Sequence, residues 1–322
     1  MKALRRLLVP IDSAEPSAPA VEYAMWLAHY AGAELTFCHS VDVTGSVAEY
    51  TGAGDIGALI DKLEREGATL LADAQAKAQV RGLTSTTVEL AGSPAAAIVE
   101  AAQQKQVSAI VMGSHGRSGP SRFFLGSTTE SVLRRTDLPV FVVHSHSVAT
   151  AAPLPFTHIV VALDDSDPAD AAVDFALSIA DPERTTVELV HVLHMKPLHQ
   201  LATAQQYDVR RRFREERAAV QELLDTAADR IRERDVKVIK MTIDGAPIEE
   251  LTGHAARQHA DLIVIGTHGR RGLQRLFLGS IAEAVVRGAT VPVVVVRRRT
   301  APAQFEVTSA TRTDEACVIT RA

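Results

Sequence analysis

The chain has 322 residues, of which 46% are hydrophobic and 23% charged, and a formal net charge of −5. That length suits about two domains of ordinary size; the composition is that of a globular protein with real cores, and the acidic balance argues against nucleic acid as the main partner. No apolar run reaches the roughly 18 residues of a membrane span, and Cys38 and Cys317 make no disulfide framework, so the expected setting is cytoplasmic.

The first stretch, MKALRRLLVPIDSAEPS, is basic and then apolar, but Pro10 and Asp12 stop the run. It reads as a first strand rather than a signal peptide. Further continuous apolar runs follow as LTFCHSV, TTVEL, AIVMG and PVFVV, the pattern of strands buried on both faces. Between them, helical spacing covers roughly 17–31, 57–80, 95–106 and 127–136. Ser93 or Pro94 starts the third helix after Gly92, and Pro139 lies just past the end of the fourth.

The chain then repeats itself. VPIDSAEPSAPAVEYA at 9–24 aligns with VALDDSDPADAAVDFA at 161–176, and GSPAAAI at 92–98 aligns with GAPIEEL at 245–251. Between 113–143 and 266–296, 17 of 31 positions are identical without a gap. The second set of strands is HIVVAL, VELVHVL, KVIKMTI, LIVIG and PVVVV. The expected organisation is a first domain at 1–146, a linker at 147–155, a second domain at 156–299 and a mobile tail at 300–322. Five strands joined by four crossover helices give an α/β, doubly wound parallel sheet in each copy. Ligands in such sheets bind beyond the strand carboxyl ends, where the strand order reverses.

Two kinds of residue fall at that point: Asp12 and Asp164 after each first strand, and a glycine stretch after each fourth. The stretches are GSHGRSGPSRFFLGS and GTHGRRGLQRLFLGS. Gly113 and Gly266 end the strand, while Gly116 with Gly119, and Gly269 with Gly272, allow positive φ in a close-wrapped loop. Gly126-Ser127 and Gly279-Ser280 open the next helix, where bare amides and the helix dipole favour an anion. Arg117 and Arg122, matched by Arg270 and Arg275, could add positive charge. The alternative is a plain strand-to-helix turn relieved by glycine; retention of the same glycines and serines in both copies favours the phosphate cradle.

These motifs resemble the universal stress protein family, whose ATP-binding members carry G-x-x-G-x9-G-S/T. The likeness covers about 3–145 and 156–297. It implies two tandem flavodoxin-like domains of the adenine nucleotide alpha hydrolase type, each a five-stranded parallel sheet of order 3-2-1-4-5, with one ATP per domain. Carried onto this chain, the binding residues would be Asp12, Val41, Gly113, Ser114, His115, Gly116, Arg117, Ser118, Gly119, Gly126, Ser127 and Thr128 in the first copy. In the second they would be Asp164, Leu193, Gly266, Thr267, His268, Gly269, Arg270, Arg271, Gly272, Gly279, Ser280 and Ile281. Val41 and Leu193 would flank the base. The GxP turns at Gly92 and Gly245 fit the family, whereas IDSA and Pro120 depart from its commoner pattern in the first copy. Each fifth strand is an exposed edge in this order, so PVFVV and PVVVV are expected to pair as an intrachain pseudo-dimer, with a homodimer also open.

No Gly-Lys pair completes a P-loop, and no second acid stands at an obvious metal-holding spacing for phosphoryl transfer. The site therefore reads as one that holds ATP, and the resemblance implies a stress-response binding protein, with a slow ATPase and a nucleotide-independent docking protein as the other readings. Asp12 and Asp164 could meet a base edge, a ribose or a magnesium ion, or simply cap the following helix. GAGDIG at 52–57 matches a dinucleotide fingerprint but reads better as a loop entering a helix. His115 and His268 could touch phosphate or stay solvated, and His39 and His191 read as structural. No metal-ligand spacing or hydrolase elbow is found. Arg210, Arg214 and Arg217 share a helical face interspersed with acids, which reads as solvated, with an acidic docking partner as the alternative.

Overall fold

The computed structural model describes residues 4–12, 14–41, 56–114, 125–144, 156–164, 167–193, 206–267 and 278–297. In the first copy the order is β1 (Arg6–Pro10), α1 (Ala14–Ala31), β2 (Glu34–Val41), α2 (Ile56–Val80), β3 (Ser85–Ala91), α3 (Pro94–Gln104), β4 (Ala109–Gly113), α4 (Ser127–Arg135) and β5 (Val140–Val143). The second gives β6 (His158–Ala162), α5 (Asp167–Ile179), β7 (Thr186–Leu193), α6 (Gln206–Arg232), β8 (Lys237–Asp244), α7 (Pro247–Arg257), β9 (Leu262–Gly266), α8 (Ser280–Gly288) and β10 (Val293–Val296). The expected linker and tail, and GAGD of the fingerprint match, lie outside the described residues.

Each copy is a parallel sheet of order 3-2-1-4-5, and the whole runs β3-β2-β1-β4-β5-β10-β9-β6-β7-β8. The fifth strands meet antiparallel, with Val142 opposite Val293, Phe141 opposite Val294 and Val140 opposite Val295. Every residue of β5 and β10 is buried. Their apolar runs and short length suit a position in the middle of a ten-stranded sheet, covered above and below.

Helices cover both faces. On one, α1, α2, α5 and α6 pack Leu27, Leu71, Val173 and Leu224 against Phe37, Phe141, Leu189 and Val294. On the other, α3, α4, α7 and α8 pack Ile98, Leu133, Leu251 and Val285 against Leu8, Ile110, Val190 and Ile263. Rings knit the two copies together: Phe141 lies between Tyr23 of α1 (6.1 Å) and Phe175 of α5 (5.9 Å), and Trp26 meets Phe156 edge-on at 5.2 Å.

The third strands correct one expectation. β3 and β8 are only partly buried, with Thr86, Thr87 and Glu89 exposed in β3 and Lys237 and Ile239 in β8. They are the outer edges of the joined sheet, where only one neighbour and partial helix cover remain. Lys237 and Lys240 of β8 suit that place, because charge discourages edge-to-edge pairing.

Candidate functional site

β1 lies between β2 and β4, so the chain turns one way after β1 and the opposite way after β4. Their carboxyl ends emerge side by side, bringing Asp12 next to the turn at Gly113 and Ser114. β6 and β9 do the same for Asp164 beside Gly266 and Thr267. Both acids are half-buried. The last backbone bond holding each first strand runs from the Ile11 amide to the Cys38 carbonyl (2.8 Å) and from Leu163 to Val190 (2.9 Å).

The glycine-led turn is built alike in both copies. The Ser114 amide donates to Val143 (3.0 Å), and the Gly126 amide donates back to Ser114 (2.8 Å). In the second copy, Thr267 donates to Val296 (3.0 Å) and Gly279 to Thr267 (2.7 Å). Ser114 and Thr267 are each 3% exposed, so the start of the loop is clamped between the strand end and the mouth of the helix. Gly126 and Gly279 take the N-cap position with near-identical extended dihedrals, and no side chain caps either helix.

An uncapped helix start offers first-turn amides to a ligand. These belong to Ser127, Thr128 and Thr129 in α4, and to Ser280, Ile281 and Ala282 in α8. The acids of the same turns, Glu130 and Glu283, would oppose an anion, but each is tied to an arginine four residues on: Glu130 to Arg134 at 2.5 Å, and Glu283 to Arg287. Sequence reasoning missed Thr129, whose hydroxyl donates to the Gly113 carbonyl at 2.8 Å and braces the first cradle.

The GxP turns stand beside the second strands. Val41 pairs with Ala91 and Leu193 with Asp244, each directly before its turn. Ser40 donates its hydroxyl to the Gly92 carbonyl (3.0 Å), and the Gly245 amide donates to Leu193 (3.1 Å). Gly92 has φ +100°, which only glycine adopts readily. Val41 is half-buried and Leu193 is 3% exposed. Of the expected loop residues, His115, Gly116, Arg117, Ser118, Gly119, His268, Gly269, Arg270, Arg271 and Gly272 lie outside the described residues, as do Arg122 and Arg275. Among the described residues no cluster of acids, histidines or cysteines could hold a metal, and no helix is long and apolar enough to cross a membrane.

The family model for the universal stress protein family matches residues 3–144 and 155–297. The chain belongs to that family. A universal stress protein of Mycobacterium tuberculosis is 30% identical over 73% of this chain and 78% of its own. One from Mycolicibacterium smegmatis is 29% identical over 91% of this chain and 97% of its own. Among solved structures, a universal stress protein from Archaeoglobus fulgidus superposes with a TM-score of 0.69 at 23% identity, covering 92% of this chain and 97% of that one.

A second polar centre, absent from the sequence reading, lies in the second copy. Glu188 of β7 is buried and accepts from His158 Nε2 at 2.9 Å and His254 Nε2 at 2.8 Å. His158 Nδ1 lies 3.2 Å from the Gln258 carbonyl. Carboxylate and carbonyl both only accept, so the His158 ring satisfies both as an imidazolium. Its pKa is raised, chiefly by the hydrogen bond to Glu188 and against burial, with help from the Gln258 carbonyl and the charges of Glu188 and Asp261. Burial pushes the Glu188 carboxyl up, but the hydrogen bonds and charges of the two histidines outweigh it and hold the net value below the usual range. The aligned residues of the first copy are Arg6, Thr36 and Ala101; that divergence between repeats was the available signal.

Among the described residues of α6, arginines are paired within the chain. Arg217 pairs with Asp244 and stacks over Phe213 at 4.9 Å. Arg230 pairs with Asp170 (2.7 Å) and Asp174. Such exposed pairs add little stability; the Arg210 side chain lies outside the described residues.

Proposed function

We propose that each copy binds one molecule of ATP, making the chain a nucleotide-holding regulatory member of its family. One observation carries the reading: the same glycine-led, uncapped helix start, clamped to the end of the fourth strand, is built twice from diverged neighbours. Its donors are main-chain amides, which suit a polyphosphate without a P-loop lysine. Asp12 and Asp164 emerge beside the cradle, where a ribose hydroxyl or a magnesium ion on the phosphates would be recognised. Val41 and Leu193, at the ends of the neighbouring second strands, stand on the side from which adenine would enter. The β5–β10 seam makes the two copies an intrachain pseudo-dimer of nucleotide domains, spanning 1–146 and 156–299.

Equilibrium dialysis of the full chain against ATP, with ADP and cAMP as competitors, tests the reading. Two equivalents of ATP bound per chain are expected, with negligible phosphate release. Absence of binding at millimolar ATP refutes it, and steady turnover would move the protein into the slow ATPase class.

A further inference from the structure

The two second strands carry a histidine at matching positions, and both rings make the same bond. His39 Nδ1 donates to the Ile11 carbonyl at 2.6 Å, and His191 Nδ1 donates to the Leu163 carbonyl at 2.8 Å. A carbonyl only accepts, so the proton sits on Nδ1 in both rings. Ile11 and Leu163 immediately precede Asp12 and Asp164. Their amides carry the last ladder bonds of β1 and β6, and beyond that point the chain leaves the sheet. The imidazole therefore takes over where the ladder stops, and it holds the peptide from which the acid emerges.

The rings are themselves held. His39 is 7% exposed and is pressed by Gly67 of α2, where an added Cβ would come within 2.4 Å of the ring's Cδ2. In the second copy Val220 aligns with Gly67, and His191 is less deeply covered. Burial lowers the His191 pKa, partly offset by the Leu163 carbonyl and the charges of Asp164 and Glu216. The contact thus survives a change in what packs behind it, as expected if the hydrogen bond, rather than the local packing, is what both copies need.

We propose that His39 and His191 are positioning residues of the two nucleotide sites, each fixing the backbone that presents Asp12 or Asp164 to the ligand. The proposal rests on the ATP reading above. Site geometry loosened by a missing support weakens recognition even when every contacting group is present.

The test is a double-mutant cycle on the full chain, read by ATP titration and by unfolding of the nucleotide-free protein. His39→Leu keeps bulk but cannot donate, whereas His39→Asn places an amide N–H near the former Nδ1. His39→Leu is expected to weaken the first site roughly tenfold, with His39→Asn recovering most of the loss. In an Asp12→Ala background His39→Leu should cost no further affinity, because it acts through that acid; His191 and Asp164 should behave alike. Unchanged affinity in His39→Leu and His191→Leu, or full additivity with the acid variants, overturns the positioning role while leaving ATP binding intact. Failure of the wild-type chain to bind ATP overturns both proposals and is seen in the first titration.

Discussion

Replacing Glu188 by Gln should remove most of the pH dependence that the His158–Glu188 pair brings to stability. The carboxylate side chain is only 4% exposed and accepts two bonds, at 2.9 and 2.8 Å. Glutamine keeps the shape but loses the charge and turns one acceptor into a donor. Hydrogen bonds to buried charged groups are worth about 1.5–3 kcal/mol each, and unpairing a buried ion costs about 3–5 kcal/mol. Because glutamine still accepts from one ring, a loss of about 2–3 kcal/mol near pH 6 is expected. That corresponds to a fall in midpoint of roughly 6–9 °C for a domain of this size.

The sign with pH follows from the two shifts. The folded state holds the His158 proton more tightly than the unfolded chain, so this contribution is full below the ordinary value of 6.5 and is lost as pH rises through the raised folded pKa. The Glu188 contribution is full above its ordinary 4.5 and is lost as pH falls through the lowered folded pKa. The cluster therefore stabilises most between these ordinary values and fades on either side. Urea unfolding followed by circular dichroism from pH 5 to 9 measures this in both proteins. Wild type should lose stability above pH 6.5 while Glu188→Gln stays flatter. Parallel slopes, or a difference under about 0.5 kcal/mol at pH 6, would refute the pairing of the half-buried His158 imidazolium with the buried carboxylate.

Two further outcomes test the supporting frame. Arg297, which follows β10, donates to the carbonyls of Leu133 (2.9 Å) and Arg134 (3.0 Å) at the end of α4; Arg297→Met should cost about 1–3 kcal/mol in chemical denaturation by stranding those carbonyls, and a neutral result would show that other groups cap α4. His259 is exposed with φ +52°, so His259→Gly should raise the thermal midpoint by a few degrees, from relief of about 1 kcal/mol of left-handed strain, whereas a lowered midpoint would assign the side chain a contact of its own.

The fold was legible because each local signal occurred twice. β-branched runs alternating with helical spacing define the strands and helices, and agreement between repeats removes accidents of one copy. What failed was burial of TTVEL and KVIKMTI: an apolar run alone does not show whether a strand is central, although the order 3-2-1-4-5 implied by the resemblance already puts the third strand at an edge. The uncapped helix starts at Gly126 and Gly279 were legible from the repeated Gly-Ser pair rather than from any backbone strain, since both glycines take extended dihedrals open to any residue. Thr129 was missed because a threonine in a helix's first turn looks ordinary until its hydroxyl is seen on Gly113. His158, Glu188 and His254 are separated by 30 and 66 residues; only folding brings them together, and their mismatch with Arg6, Thr36 and Ala101 is visible only once the repeats are aligned.

Divergence between the copies is concentrated in supports rather than in the cradle. Thr129 braces Gly113, but the aligned residue in α8 is Ala282. Arg297 closes the end of α4, while its aligned residue in the first copy is His144. Gly67 behind His39 aligns with Val220, and the Glu188 cluster has no equivalent before the linker. None of these changes touches the amides at the mouths of α4 and α8, because main-chain donors persist under any substitution that preserves the turn. Drift in these supports can therefore alter how rigidly each mouth is held without removing its main-chain donors. Two sites evolving under that constraint should keep one ligand class and separate in affinity, with the more heavily braced first mouth paying less ordering entropy on binding.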